Sequence, residues 1–168
     1  KGYFLMAVGF AGTIINQFLK LWFRIPRPWV LDSDFTILEQ AREAAAGYSF
    51  PSGHTQTSVG LFGGLALKFK NRALRIASIV LCVLVPLSRM YLGVHTPADV
   101  GVSIVIALVL IFALSPIFDK AEKSPRVMYY LLFSLTGVML AYLCFMSFWQ
   151  FPEEVFHVDN VHNYTSAV

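Results

Sequence analysis

Five apolar stretches separated by polar links divide the chain and predict membrane helices. They run from about Gly2 to Phe23, His54 to Phe69, Ala73 to Leu92, Pro97 to Phe118 and Val127 to Trp149. A hydrocarbon core of about 30 Å takes about 20 helical residues. Four stretches reach that length. The second is marginal and carries Gly60, Gly63 and Gly64, which either let a neighbouring helix approach its backbone closely or are ordinary membrane-helix filler. Pro86 predicts a kink in the third. The link from Arg24 to Phe50 is polar and helical in character from Asp34 to Ala46, with Asp32 or Ser33 as N-cap and Gly47 as stop. Phe35, Leu38 and Arg42 share one face of it, as in a helix lying at the membrane interface; a solvated loop helix without a role fits equally. The expected fold is therefore all-α: a polytopic transmembrane bundle of about five membrane helices plus a short interfacial helix, with residues 1–168 forming one membrane-embedded unit.

Composition agrees with a bilayer setting. Of the 168 residues, 57% are hydrophobic and only 14% charged, and the mean hydropathy is +0.63, whereas soluble domains carry about 25% charged residues. A net charge of +3 without a basic stripe argues against a nucleic-acid partner. Cys82 and Cys144 lie inside apolar runs and are assigned to packing. No Cys/His spacing or carboxylate cluster suggests a metal, and no cofactor is expected. The pattern leaves the oligomeric state open.

Lysine and arginine counting sets the orientation. Lys68, Lys70, Arg72 and Arg75 occupy the link after the second stretch, and Lys120, Lys123 and Arg126 the link after the fourth. Both fall on one side, expected to be cytoplasmic. The other side then receives the Arg24–Phe50 link, the junction at His95, and a tail whose charges are the acidic Glu153, Glu154 and Asp159. Asn163-Tyr164-Thr165 in that tail fits a glycosylation sequon.

Polar clusters at three stretch ends share this outer side. Lys20, Arg24, Arg27 and Pro28 close the first stretch, Pro51-Ser52-Gly53-His54 opens the second, and Ser88, Arg89, His95 and Asp99 span the third and fourth. Ionisable residues at membrane depth are costly and point to function. Fixed cations, a helix N-terminus and a glycine permitting close backbone approach describe a phosphate site. Two histidines beside a phosphate divide into nucleophile and acid: His95, its imidazole N–H held by Asp99, and His54, which protonates the leaving oxygen. Each residue also has an ordinary explanation. Thr96-x-x-Asp99 with Pro97 fits a capping box, Ser52 fits an N-cap, and Lys20, Arg24 and Arg27 fit interfacial anchors. Arg24, which belongs to no larger pattern, keeps the anchor assignment.

Taken in order, Lys20-x6-Arg27-Pro28, Pro51-Ser52-Gly53-His54 and Ser88-Arg89-x5-His95-x3-Asp99 resemble the three-part signature of the phosphatidic-acid phosphatase type 2 superfamily. The signature covers about half the chain. The resemblance implies a metal-independent phosphatase acting on a lipid phosphate or lipid pyrophosphate, of the undecaprenyl-pyrophosphate or phosphatidylglycerophosphate phosphatase kind. It makes His95 the nucleophile that becomes a phosphohistidine, Asp99 its partner and His54 the general acid. Lys20, Arg27, Ser52, Gly53 and Arg89 become the phosphate binders. Membrane members typically have six helices, with the first signature part after the third. About two helices are then expected before Lys1, and the fifth stretch is an addition. The expected location is the bacterial plasma membrane, with the site facing outward. A lipid phosphotransferase using the same site, or a non-enzymatic protein binding anionic headgroups, remain the alternatives.

Overall fold

The computed structural model describes residues 1–149 apart from 33, 43, 44 and 46. The acidic tail residues, the sequon at Asn163, the alternative cap Ser33 and the expected helix end at Ala46 lie outside the described residues. The elements are α1 (Gly2–Phe23), α2 (Pro28–Leu31), α3 (Glu39–Arg42), α4 (Gly53–Ser58), a π-helical stretch (Val59–Gly63), α5 (Gly64–Lys68), α6 (Arg72–Tyr91), α7 (Pro97–Ala121) and α8 (Pro125–Phe148). The chain is an all-α bundle, and four of its helical segments are long and apolar enough to cross a membrane: Gly2–Leu31, Arg72–Tyr91, Pro97–Ala121 and Pro125–Phe148.

The second apolar stretch is the short one, and it lies at the centre. From α4 through the π-helical stretch to α5, it packs against α1, α6 and α7. Its glycines make that approach possible. A Cβ on Gly60 would sit 3.2 Å from Val8 Cγ1, one on Gly63 2.8 Å from Ile111 Cδ1, and one on Gly64 2.6 Å from Leu5 Cδ2. Lipid tails are as apolar as leucine, so such close packing, rather than a hydrophobic drive, holds membrane helices together. Phe4, Ala7 and Val8 of α1 meet Ile111 and Phe118 of α7 in the buried core beside it. Outward-facing Val83, Leu84, Val109 and Phe112 are exposed, as lipid-facing positions are. Helix α8 lies against α7 and α1, with Phe145 and Phe18 rings 5.5 Å apart, and buries no residue of its own.

Both basic links lie at one end of the bundle, as the charge pattern predicts. Lys68 Nζ reaches Asp119 Oδ1 at 2.5 Å, tying the end of α5 to the end of α7. The interfacial helix is a correction. Among the described residues of the run expected from Asp34 to Ala46, only Glu39–Arg42 are helical. Residues 35–38 instead lie against the turn after α6, where Leu38 N–H donates to Leu92 O at 3.4 Å. There Gly93 has φ +75, and a Cβ on it would stand 2.6 Å from Thr36 O. The tertiary contact outcompetes local helical preference, and only glycine fits beneath it.

Candidate active site

At the bundle end opposite the Lys68–Asp119 pair, chain terminations aim polar side chains inward. Helix α1 stops where Arg24 adopts a left-handed conformation, φ 48, and its N–H returns to Lys20 O. Pro28 at the first position of α2 then fixes Arg27 just outside that helix. Lys20 and Arg27 are both buried, at 8% and 6% exposure. The Lys20 ammonium donates to Tyr48 O. The Arg27 guanidinium donates from Nε to Gly47 O at 2.7 Å and from Nη1 to Val94 O at 2.8 Å. These are the cations of the first cluster, and they grip the backbone of the segments leading into the second and third.

The second cluster is tethered to the third by its backbone. Ser52 N–H donates to Asp99 O at 3.3 Å, while Ser49 N–H ties the same segment to the first cluster through Ile25 O at 2.8 Å. Ser52 is fully buried and caps α4, its Oγ accepting from Thr55 N–H at 3.4 Å and donating to Thr55 Oγ1 at 3.0 Å. Gly53 opens the helix beside Asn16, and His54 follows it on an exposed position. Lys20, Arg27 and Arg89 all lie within electrostatic range of His54. Arg89 sits in the last turn of α6, and its buried Nε finds no hydrogen-bond partner among the described residues. An unsatisfied buried N–H on a guanidinium is costly and is suited to an anion that supplies the missing acceptor.

Asp99 is where the two explanations of its position meet. Its Oδ2 accepts from Thr96 N–H at 2.8 Å, while Thr96 Oγ1 accepts from Asp99 N–H at 3.2 Å: the capping box is present. The same oxygen lies 3.5 Å from His95 Nδ1 and accepts from Ser49 Oγ at 2.5 Å. Capping holds the carboxylate still; it does not compete with the histidine. Arg27 Nη1 is 3.0 Å from His95 Nε2 and 3.5 Å from Nδ1. Arginine only donates, and its shorter approach is to Nε2, which assigns Nε2 as the acceptor and the ring proton to Nδ1, on the side of Asp99. That tautomer leaves a free lone pair on Nε2. His95 is 4% exposed, and burial pushes its pKa down to about 4, with Arg27 and Lys20 adding to the effect and the bond to Asp99 opposing it. The imidazole is thus neutral at physiological pH.

All eight residues expected from the sequence, Lys20, Arg27, Ser52, Gly53, His54, Arg89, His95 and Asp99, belong to this one end of the bundle. Ser49 was not among them. A serine three residues ahead of Ser52 carries no pattern of its own, and its bond to Asp99 is visible only once the chain is folded. The carbonyls of Gly47, Tyr48 and Val94, which fix the cations, are likewise invisible to a side-chain reading.

Comparison with known proteins agrees with the geometry. Undecaprenyl-diphosphatase BcrC of Bacillus subtilis is 34% identical over 104 residues, covering 62% of this chain and 51% of that protein. Phosphatidylglycerophosphatase B of the same organism is 29% identical over 131 residues, covering 73% of this chain and 60% of that protein. The chain thus spans between half and two thirds of the length of these relatives. No solved structure gives a significant match. The PAP2 superfamily profile matches residues 2–123, which contain every residue of the site, and the chain belongs to that superfamily.

Proposed function

We propose that the chain is the catalytic core of a phosphatase that hydrolyses a lipid phosphate or lipid diphosphate through a phosphohistidine at His95. The observation that carries the reading is the setting of His95, its Nδ1 3.5 Å from Asp99 Oδ2 and its Nε2 3.0 Å from Arg27 Nη1. Arg27 Nη1 moves from Nε2 onto a phosphoryl oxygen when substrate enters, joined by Lys20, Arg89 and the start of α4 at Gly53. Nε2 attacks phosphorus, the bond from phosphorus to the leaving oxygen breaks, and His54 in its protonated form supplies the proton that oxygen takes. Asp99 stabilises the imidazolium that results. His54, now neutral, takes a proton from water as it attacks the phosphohistidine, releasing inorganic phosphate and restoring both rings. The names of the two relatives, a diphosphatase and a phosphatidylglycerophosphatase, support a lipid substrate.

Charge supports a reaction without a metal. Three cations, Lys20, Arg27 and Arg89, face a single carboxylate, Asp99, that is already committed to Ser49, Thr96 and His95. Such a cluster repels a divalent cation and supplies the charge stabilisation itself. The positive-inside pattern supports a cytoplasmic Lys68–Asp119 end and a site on the outer face, and the bacterial source of both relatives supports a bacterial plasma membrane. Phosphate release from lipid substrates by the purified protein tests the reading. Turnover undiminished by EDTA is expected; loss of turnover on chelation overturns the metal-free mechanism.

A further inference from the structure

Helix α8 buries no residue of its own, and an apolar cleft of about 400 Å³ lies between it and α7. Phe118, Leu131 and Leu135 line it and also pack on the bundle core, while Tyr130 is 75% exposed. The Ser134 hydroxyl in the cleft donates to Leu131 O at 2.8 Å and is spent on its own helix. From Val127 to Leu135 the cleft follows α8 for about 12 Å at 1.5 Å per residue. One leaflet of a ~30 Å hydrocarbon core is about 15 Å deep, so the cleft matches a single leaflet. Spread over that length, its volume gives a cross-section of about 30 Å², well under half that of a helix about 10–12 Å across. A further membrane helix is too wide and too long for this space. A hydrocarbon chain fits both measures.

The mouth of the cleft, where α7 passes into α8, is charged. Lys120 follows Phe118 by two positions, Lys123 lies in the link, and Arg126 directly precedes Val127. All three are exposed, and none forms an ion pair among the described residues. Of the two acids in the same stretch, Asp119 is taken by Lys68 at 2.5 Å, which leaves Glu122 against three cations. Net positive charge therefore sits where the apolar cleft meets water. Basic pockets between membrane helices receive anionic headgroups, and arginine suits phosphate through its two-pronged donor geometry. An occupant with a hydrocarbon tail and an anionic head matches both halves of the site. A second copy of the chain matches only the apolar half, because it brings the same cations to the seam.

We propose that the cleft between α7 and α8 binds an anionic phospholipid, with an acyl chain along Leu131 and Leu135 and the phosphate held by Lys123 and Arg126. This lipid is not a substrate, because its phosphate lies at the end of the bundle opposite His95. It fills the seam that α8 leaves open and fastens that helix to the bundle. The test titrates the purified protein in detergent with phosphatidylglycerol or phosphatidylcholine of identical acyl chains. Native mass spectrometry counts retained lipid, and thermal melting reports the seam. The wild type retains phosphatidylglycerol at least about tenfold better, as two cations at a membrane surface provide. Its melting temperature rises with that lipid, and less so at high salt. Lys123→Gln combined with Arg126→Gln, both on exposed positions, abolishes the preference. Ser134→Trp, which fills the cleft and leaves the cations, lowers retention of both lipids. Equal retention of the two lipids by the wild type overturns the proposal. So does a preference unmoved in the charge variant, which puts the bound lipid elsewhere, including at the catalytic cluster. A dimer that takes up neither lipid shows a second copy covering the seam and overturns it as well. If Ser134→Trp fails to fold, the charge variant decides alone.

Discussion

Replacing Asp99 with asparagine separates its two roles, because the amide keeps a side-chain oxygen for the N3 half of the capping box, which bonds back to the N-cap backbone. The amide oxygen of Asp99→Asn still accepts from Thr96 N–H, so α7 keeps its start. What disappears is the negative charge 3.5 Å from His95 Nδ1. At an effective dielectric constant near 20, a charge pair at that distance is worth about 5 kcal/mol. This is an upper bound on what the carboxylate contributes when the ring becomes a phosphorylated cation. Divided by about 1.4 kcal/mol per tenfold, it allows a fall in kcat of up to roughly three orders of magnitude. Thr96→Ala is the complementary change. It removes the capping hydroxyl, costs about 1 kcal/mol of stability and leaves the carboxylate beside the ring. Phosphate release measured on both variants, alongside their melting in detergent, gives the answer. Asp99→Asn should melt near wild type and lose at least two orders of magnitude in kcat, while Thr96→Ala melts earlier and keeps most of its kcat. An Asp99→Asn protein within a few-fold of wild-type kcat would refute the reasoning and leave Asp99 a capping residue only.

Ser49→Ala removes the 2.5 Å bond to Asp99 Oδ2; bonds to charged groups are worth about 1.5–3 kcal/mol, so kcat should fall roughly tenfold or more, with Ser49→Thr restoring part of it. Gly63→Ala places a Cβ 2.8 Å from Ile111 Cδ1, and overpacking of about 1–3 kcal/mol should lower the melting temperature, whereas Gly101→Ala, with open space around its position on α7, should not. With a folded pKa of about 4 against the ordinary 6.5, His95 stays neutral in the folded protein while the unfolded chain takes up its proton. Its contribution to stability is therefore full above pH 6.5 and is lost progressively as pH falls toward 4. Thermal melts across that window should show the slope, and His95→Asn should flatten it.

Much of this architecture can be read from the chain because membrane helices announce themselves by length and hydropathy. The positions of Lys20, Arg27, His54, His95 and Asp99 can be read because their spacing tracks helix starts and stops. Capping residues and proline at first helical positions locate α4 and α7, and the catalytic candidates sit at those same starts. The segment from Asp34 to Arg42 resisted such a reading. Its local helical preference is genuine, but Gly93 and Leu92, more than fifty positions later, draw residues 35–38 into an extended contact. Ser49 eluded it for a related reason. A hydroxyl gains its meaning from what faces it, and Asp99 faces this one only after folding. The π-helical stretch at Val59–Gly63 likewise carries glycines that face Val8 of α1 and Ile111 of α7, neighbours that exist only after folding.

The central claim is a covalent bond between phosphorus and His95, and rapid quenching with a lipid substrate carrying radioactive phosphorus tests it most directly. Quenched in alkali, where phosphohistidine survives, wild-type protein should retain label that acid then releases. His95→Asn should retain none, and His54→Asn should hold its label longer because the water that resolves it has lost its base. Phosphate release by an unlabelled wild type, or label that persists in His95→Asn, would contradict the account.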